Sequence, residues 1–385
     1  MRRLVAGLLL ILCFGALAAP PAGPPDLTWP DGTKYWGAQR FKLPHGRGYM
    51  ARPDGGSYEG DFFDGKFHGQ GFMRLPNGDE YRGGFAFGAF EGQGTMRYAR
   101  PRADGRTQDS GLWHKGRLDD AADRERFAHN VETALYRQRP LLDAAIAGLE
   151  PSQRGRINLY LLAIAGDGSQ EVFRREVEFV RNQFDRDFGT RGRSLALINS
   201  RNTVDTAPMA TVTSIREAIK GIAARMDRDN DILFIFMTSH GAKDHEFVLN
   251  QNAMNLRGLK PKELAGMLDA TRIRWRVVLV SACYSGGFVE PLKSDSTMVI
   301  TAARADRASF GCADENDFTY FGRAYFKEAL PKSESFFDAF GKAQALVDEW
   351  EKKDKTPERE RSLPQIYSPV TLSEQLKKWW AQPRR

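Results

Sequence analysis

The sequence predicts an α/β domain, a mostly parallel sheet flanked by helices, preceded by an all-β array of short hairpins. Two patterns predict it: tyrosines and glycines recur every 23 residues between positions 31 and 96, and from about residue 157 strand-length apolar runs alternate with amphipathic helical stretches. A length of 385 residues, longer than one core needs, agrees with two or more folding units. Hydrophobic residues make up 41% of the chain and aromatic residues 11%, enough to fill packed cores and to exclude wholesale disorder.

Residues 1–18 read as a secretory signal, with Arg2 and Arg3 as a positive start, an apolar run over 4–17, and Ala16-Leu17-Ala18 as a small-residue cleavage site. An uncleaved anchor and a lipoprotein signal at Cys13 are the competing readings. The run is short for a bilayer span, Pro20, Pro21, Pro24 and Pro25 follow at once, and Leu12 stands where a lipoprotein signal calls for a small residue. No later stretch is long and apolar enough to span a membrane, so the expected location is secreted or periplasmic. The net charge of +7, or +5 without Arg2 and Arg3, is mild and scattered. That excludes nucleic acid as a natural partner and leaves an anionic envelope surface open.

The array is expected over 27–118. Tyr35, Tyr58 and Tyr81 are 23 residues apart, as are Gly37, Gly60 and Gly83, then Gly46, Gly69 and Gly92, then Gly48, Gly71 and Gly94. Asp31-Gly32, Asp54-Gly55 and Asn77-Gly78 keep the same period and favour tight turns, so each unit reads as a short hairpin. The pattern Tyr58-Glu59-Gly60-Asp61-Phe62, then Gly65, then His68-Gly69-Gln70-Gly71 resembles the MORN repeat over three units. A worn fourth unit with Gly111, Trp113 and Gly116 caps the array. His45 and His68 share one repeat column and read as structural. The resemblance implies a binding or assembly surface for a protein or envelope partner; repeats alone carry no chemistry.

A helical linker is expected over 119–153, its apolar face supplied by Phe127, Val131, Leu135, Leu141, Leu142, Ile146 and Leu149, with Pro140 dividing it into two helices. The α/β domain follows over 154–385. Strands are expected at 157–165, 194–198, 231–238, 275–282 and 297–302, and helices at 171–188, 214–226, 261–269, 318–328, 335–352 and 373–380.

Two of these strands end in unusual sequences. One runs into Thr238-Ser239-His240-Gly241 and the other into Ser281-Ala282-Cys283-Tyr284-Ser285-Gly286-Gly287. In an open α/β sheet, residues just past the carboxyl ends of neighbouring strands converge on one crevice. A thiol attacks an amide only as thiolate, and a histidine in reach takes that proton and returns one to the leaving amine. The backbone N–H groups of Cys283 and Gly241 are the natural donors to the developing oxyanion. Elimination agrees: of six histidines, His45 and His68 belong to the repeat, His114 to its cap and His129 to the linker, while His245 sits in a polar loop. Asp227, Asp229 and Asp231 alternate like calcium ligands but lack the glycine and terminal glutamate of such a loop, and read as a solvated turn. No metal or cofactor is expected. Once the signal is removed Cys283 and Cys312 are the remaining cysteines; either they pair or at least one stays free, and a bridged nucleophile could not attack an acyl group.

The order histidine then cysteine, 43 residues apart, each at a strand end as T-S-H-G and S-A-C-Y-S-G-G, resembles the legumain-like branch of the caspase-hemoglobinase fold. Ala163 to Asp167, Thr301-Ala302-Ala303 and Thr319-Tyr320-Phe321-Gly322 extend the likeness. The resemblance implies a cysteine endopeptidase with His240 and Cys283 as catalytic pair and a protein or peptide as substrate. It also implies a substrate pocket, onto which Arg174, Tyr284, Ser309 and Arg323 fall. Asparaginyl members carry acidic residues where this chain has Tyr284 and Arg323, so an acidic or otherwise polar side chain is the expected occupant. The family also contains transamidases, and a catalytically inactive scaffold is the reading from a different class.

Overall fold

The structure, a computed structural model, describes residues 20–383 apart from 103–104, 115, 120, 252–253, 255 and 313–315. The expected signal at 1–18 and the side chain of Phe127 lie outside the described residues. The chain forms two compact units that divide between Glu125 and Arg126.

The first unit is a nine-stranded antiparallel sheet whose strands lie side by side in chain order. They are β1 (Leu27–Thr28), β2 (Lys34–Arg40), β3 (Leu43–Ala51), β4 (Ser57–Phe63), β5 (Lys66–Arg74), β6 (Glu80–Ala86), β7 (Ala89–Arg97), β8 (Gln108–His114) and β9 (Arg117–Leu118). Its register explains the repeat. Gly37, Gly48, Gly60, Gly71, Gly83, Gly94 and Gly111 pair in succession and form one line across seven strands. Each repeat tyrosine lies over that line: a Cβ on Gly48, Gly71 or Gly94 would come within 2.4, 2.5 or 2.1 Å of the hydroxyl of Tyr35, Tyr58 or Tyr81. Tyrosine and glycine columns therefore keep one period because each tyrosine needs the missing side chains beneath it. Phe62, Phe85 and Trp113 complete this narrow core, and Trp113 closes it edge-on to Tyr81 with ring centroids 5.2 Å apart.

The second unit begins on α1 (Ala121–Ala147), and here the sequence misleads: one helix runs through Pro140 where two were expected. Pro140 and Tyr136, the residue whose carbonyl loses its helical donor, are both exposed, which leaves that carbonyl on the solvent side of the helix. The sheet order is β11 (Ser194–Ile198), β10 (Leu159–Ala165), β12 (Ile232–Thr238), β13 (Trp275–Ser281), β14 (Thr297–Thr301) and β15 (Gln365–Tyr367). Five strands are parallel as expected; the short antiparallel edge strand β15 was not foreseen.

Helices cover both faces. α2 (Val172–Asp187), α7 (Phe336–Lys353) and α8 (Val370–Trp380) bury one face, and α3 (Val212–Arg225) and α4 (Pro261–Thr271) bury the other. α5 (Val289–Leu292) is a single turn. The helix expected at 318–328 is instead a short α6 (Tyr320–Gly322) that continues as a π-helical stretch, Arg323–Ala329, where Gln183 on α2 donates to the Phe326 carbonyl at 2.9 Å. Asp231 also departs from the solvated turn expected of it. It is fully buried and accepts from the backbone N–H of Asn158 at 2.8 Å, which ties the start of β12 to the start of β10.

Candidate active site

The apolar strands of the second unit end in a layer of buried hydroxyl residues, Thr238 and Ser239 after β12's core, Ser281 on β13 and Thr301 on β14. β12 and β13 are neighbours in parallel register, with Thr238 opposite Ser281. His240 and Cys283 each stand two residues beyond that pair and therefore leave the sheet at the same level. They also leave on the same face. Phe234, Phe236, Val277 and Leu279 point into the core half covered by α2, and side-chain alternation carries the same direction to Thr238 and Ser281 and then onward. The ring of His240 accordingly meets Phe173 of α2 edge-on at 5.2 Å, and Cys312, which packs on that core half, interacts electrostatically with Cys283.

The two tips touch through their backbones. A Cβ on Gly241 would stand 2.0 Å from the carbonyl oxygen of Cys283, so only glycine fits there. The loop after His240 folds back as a tight antiparallel pair in which Val248 donates to the His240 carbonyl at 3.0 Å. His245 closes it onto the other tip: its Nδ1 lies 3.1 Å from the Tyr284 carbonyl, and Gly287 leaves room for its ring. Tyr284 has a left-handed backbone, φ 57°, which turns the chain sharply after Cys283.

The Cys283 thiol is half-buried, and among the described residues its hydrogen-bond partners all belong to Ser309. The Ser309 N–H donates to Sγ at 3.3 Å, and the Ser309 carbonyl and hydroxyl lie 3.6 and 3.9 Å away. Among the described residues no hydrogen bond joins Sγ to the His240 ring, and neither the Cys283 N–H nor the Gly241 N–H has a partner. Cys283 and Cys312 are both free thiols. Burial first, then the charges of Cys283, Glu176 and Asp167, pushes the Cys312 thiol up to about 12, so it stays protonated.

The residues expected to form a substrate pocket fall in separate settings. Ser309 sits on the thiol and Tyr284 directly follows it. Arg174 is held on α2, its guanidinium shared between Glu171 and Glu178, so it offers no unbalanced charge. Arg323 stands over the Trp350 ring at 5.3 Å and lines a surface cleft of about 440 Å³ with Tyr320, Lys327 and Lys353. The lining of that cleft includes neither His240, Cys283 nor Arg174.

One group was not foreseen. Glu176 of α2 is fully buried beneath the two tips. Its Oε1 accepts from the Thr319 N–H at 3.1 Å and the Thr319 hydroxyl at 2.9 Å, and that hydroxyl lies 3.0 Å from the Ser281 hydroxyl. Burial raises its carboxyl to about 7 against the pull of the Thr238 and Thr319 donors. The signal was in the sequence: on the face formed by Val172, Phe173, Val177, Val180 and Phe184, position 176 is a charged residue in an apolar stripe.

Residues 159–365 match the peptidase C13 family, and residues 58–80 and 81–100 match the MORN repeat. Among solved structures the chain is similar to caspase-1 from Spodoptera frugiperda, at 12% identity and a TM-score of 0.39, over 57% of this chain and 93% of that one. No curated protein matches the sequence.

Proposed function

The chain belongs to the peptidase C13 family, which makes it a cysteine-type peptidase, and we propose that it cleaves peptide bonds through Cys283 as nucleophile and His240 as proton carrier. His240 takes the thiol proton, and the sulfur attacks the scissile carbonyl carbon. The N–H groups of Cys283 and Gly241 donate to the oxyanion that forms. Collapse breaks the C–N bond, the amine leaves with the proton that the imidazolium returns, and the acyl group stays on sulfur as a thioester. Water, deprotonated by the same ring, attacks the thioester and releases the acid and the thiol. To begin the cycle Sγ rotates from Ser309 toward the ring, in keeping with active sites whose hydrogen bonds tighten only when substrate is bound.

The observation that carries this reading is the shared level and face of the two tips, whose Cys283 and Gly241 N–H groups have no partner among the described residues. Residues 1–18 serve export to a secreted or periplasmic location, and the hairpin array is the partner- or envelope-binding module. An electrophilic peptidyl ketone, followed by peptide mapping, tests the chemistry. Wild type gains one adduct on Cys283, Cys283→Ala gains none, and His240→Ala reacts more slowly by roughly 10²-fold or more. The Ser309 contacts favour one other reading, a non-catalytic scaffold with a capped thiol. A folded wild-type chain that leaves Cys283 unmodified would establish it.

A further inference from the structure

We propose that Glu176 is a positioning residue for the thiol–imidazole pair: from α2 its carboxyl braces the β12 tip through Thr238 and the β13 tip through Thr319 and Ser281, and so sets how the His240 ring and the Cys283 thiol meet. The inference rests on the assignment of Cys283 and His240 above.

The geometry is specific. Oε1 holds Thr319 by two hydrogen bonds, and the Thr319 hydroxyl reaches Ser281, two residues before Cys283. Oε2 and the Thr238 hydroxyl, two residues before His240, are buried with no hydrogen bond of normal geometry among the described residues, yet the hydroxyl is close enough to pull the carboxyl's titration down. These two orphaned atoms are each other's available partner. Space has been kept for the carboxyl: a Cβ on Gly322 would come 1.6 Å from Oε1. A buried carboxyl is expensive, and burial is the largest influence on this one. Among the described residues it meets, from β12 and the start of α6, the Thr238 hydroxyl and the hydroxyl and backbone N–H of Thr319, and the protonated thiol of Cys312 is near enough to feel its charge. Nearby cations on its own helix are turned elsewhere: Arg174 to Glu171 and Glu178, and Arg175 to the Asn316 carbonyl and Asp317. Structural needs alone are met more cheaply by an apolar residue in this stripe. What an apolar residue cannot do is hold two strand tips in one arrangement.

The test is a double-mutant cycle on the full chain, reading the rate at which iodoacetamide alkylates Cys283 in the native state, with folding monitored by circular dichroism. Glu176→Ala is expected to slow alkylation roughly tenfold, part of the loss seen in His240→Ala, and to add nothing in the His240→Ala background. Glu176→Gln, which keeps the shape and the acceptor for Thr319, should restore the rate to within about threefold. If Glu176→Ala does not fold, Ser281→Ala enters the same cycle, with a smaller loss that again vanishes in the His240→Ala background. A folded variant whose effect is absent, or multiplies in full with that of His240→Ala, overturns the proposal. If His240→Ala itself leaves the Cys283 rate unchanged, the assignment of the pair is what has failed.

Discussion

Glu176 makes the stability of the α/β unit depend on pH in a way that one substitution removes. Its carboxyl, ordinarily near 4.5, is raised to about 7 by full burial in the folded chain. Below pH 4.5 the group is protonated whether the chain is folded or not, and costs nothing further. As pH rises toward 7 the unfolded chain gives up its proton while the native chain keeps it, so stability falls across that window and levels off above it. The gap of about 2.5 units, at about 1.4 kcal/mol per unit, is about 3 kcal/mol. Glu176→Gln does not titrate. Whatever constant cost the amide brings, the variant should gain about 3 kcal/mol on wild type between roughly pH 4 and pH 8. The assay is urea unfolding of both proteins at those two conditions, followed by the helical far-UV signal, which the second unit supplies. A stability difference that does not change with pH, or that moves against the variant as pH rises, refutes the reasoning.

Other substitutions follow from single contacts. Gly322→Ala drives a methyl group into Glu176 and should lower the unfolding free energy of the second unit by about 1–3 kcal/mol, with Gly341→Ala, which has open space around it, as the tolerated control. Gly94→Ala places a Cβ 2.1 Å from the Tyr81 hydroxyl and should unfold the hairpin array while circular dichroism of the helices is kept. Phe87 is 68% exposed at a turn with φ 51°, so Phe87→Gly should stabilise the array by up to about 1 kcal/mol in thermal melts. Iodoacetamide at mildly alkaline pH should modify Cys283 and spare Cys312, whose thiol holds its proton up to about 12; equal modification of both would mean that the second thiol is not buried as described.

What the sequence made legible follows from how far each signal depends on partners elsewhere in the chain. The hairpin array was readable because its columns are local: each tyrosine covers glycines that recur at one spacing, and the line of seven glycines restates that spacing in space. The parallel strands were readable because burial on both faces leaves unbroken apolar runs. The helix through Pro140 was misread because the damage done by proline depends on whether water reaches the Tyr136 carbonyl, and periodicity does not report exposure. β15 was missed because its three half-buried residues carry no pattern of their own. The ion pairs of Arg174 were not legible for a similar reason. Arg174 looks like a free cation in sequence, and only the helix shows that Glu171 and Glu178 stand one turn to either side of it.

The position of the site has a physical cause in the way the parallel sheet ends. An apolar strand can continue only while its neighbours supply ladder hydrogen bonds, and where the parallel sheet ends the backbone groups need other partners. Side chains with hydroxyls meet that need here: Ser239 donates to the Val248 carbonyl at 2.7 Å, Thr301 to the Ala303 carbonyl at 3.1 Å, and Ser281 is joined to Thr319. This polar layer lies between the dry core and the two tips, so a carboxylic acid on α2 finds partners there that it would find nowhere deeper in the sheet. Cys283 and His240 stand one step above that layer, where Gly241 lets the two tips touch, Gly286 lets the backbone at Arg304 and Ala305 approach, and Gly287 makes room for the His245 ring. The recurring order of apolar run, hydroxyl residue, reactive residue and glycine is the trace in sequence of core, support, chemistry and access. Glu176 escaped that pattern because it enters the layer from the side, on a helix, and its purpose becomes visible only when the two strand tips it braces are seen together.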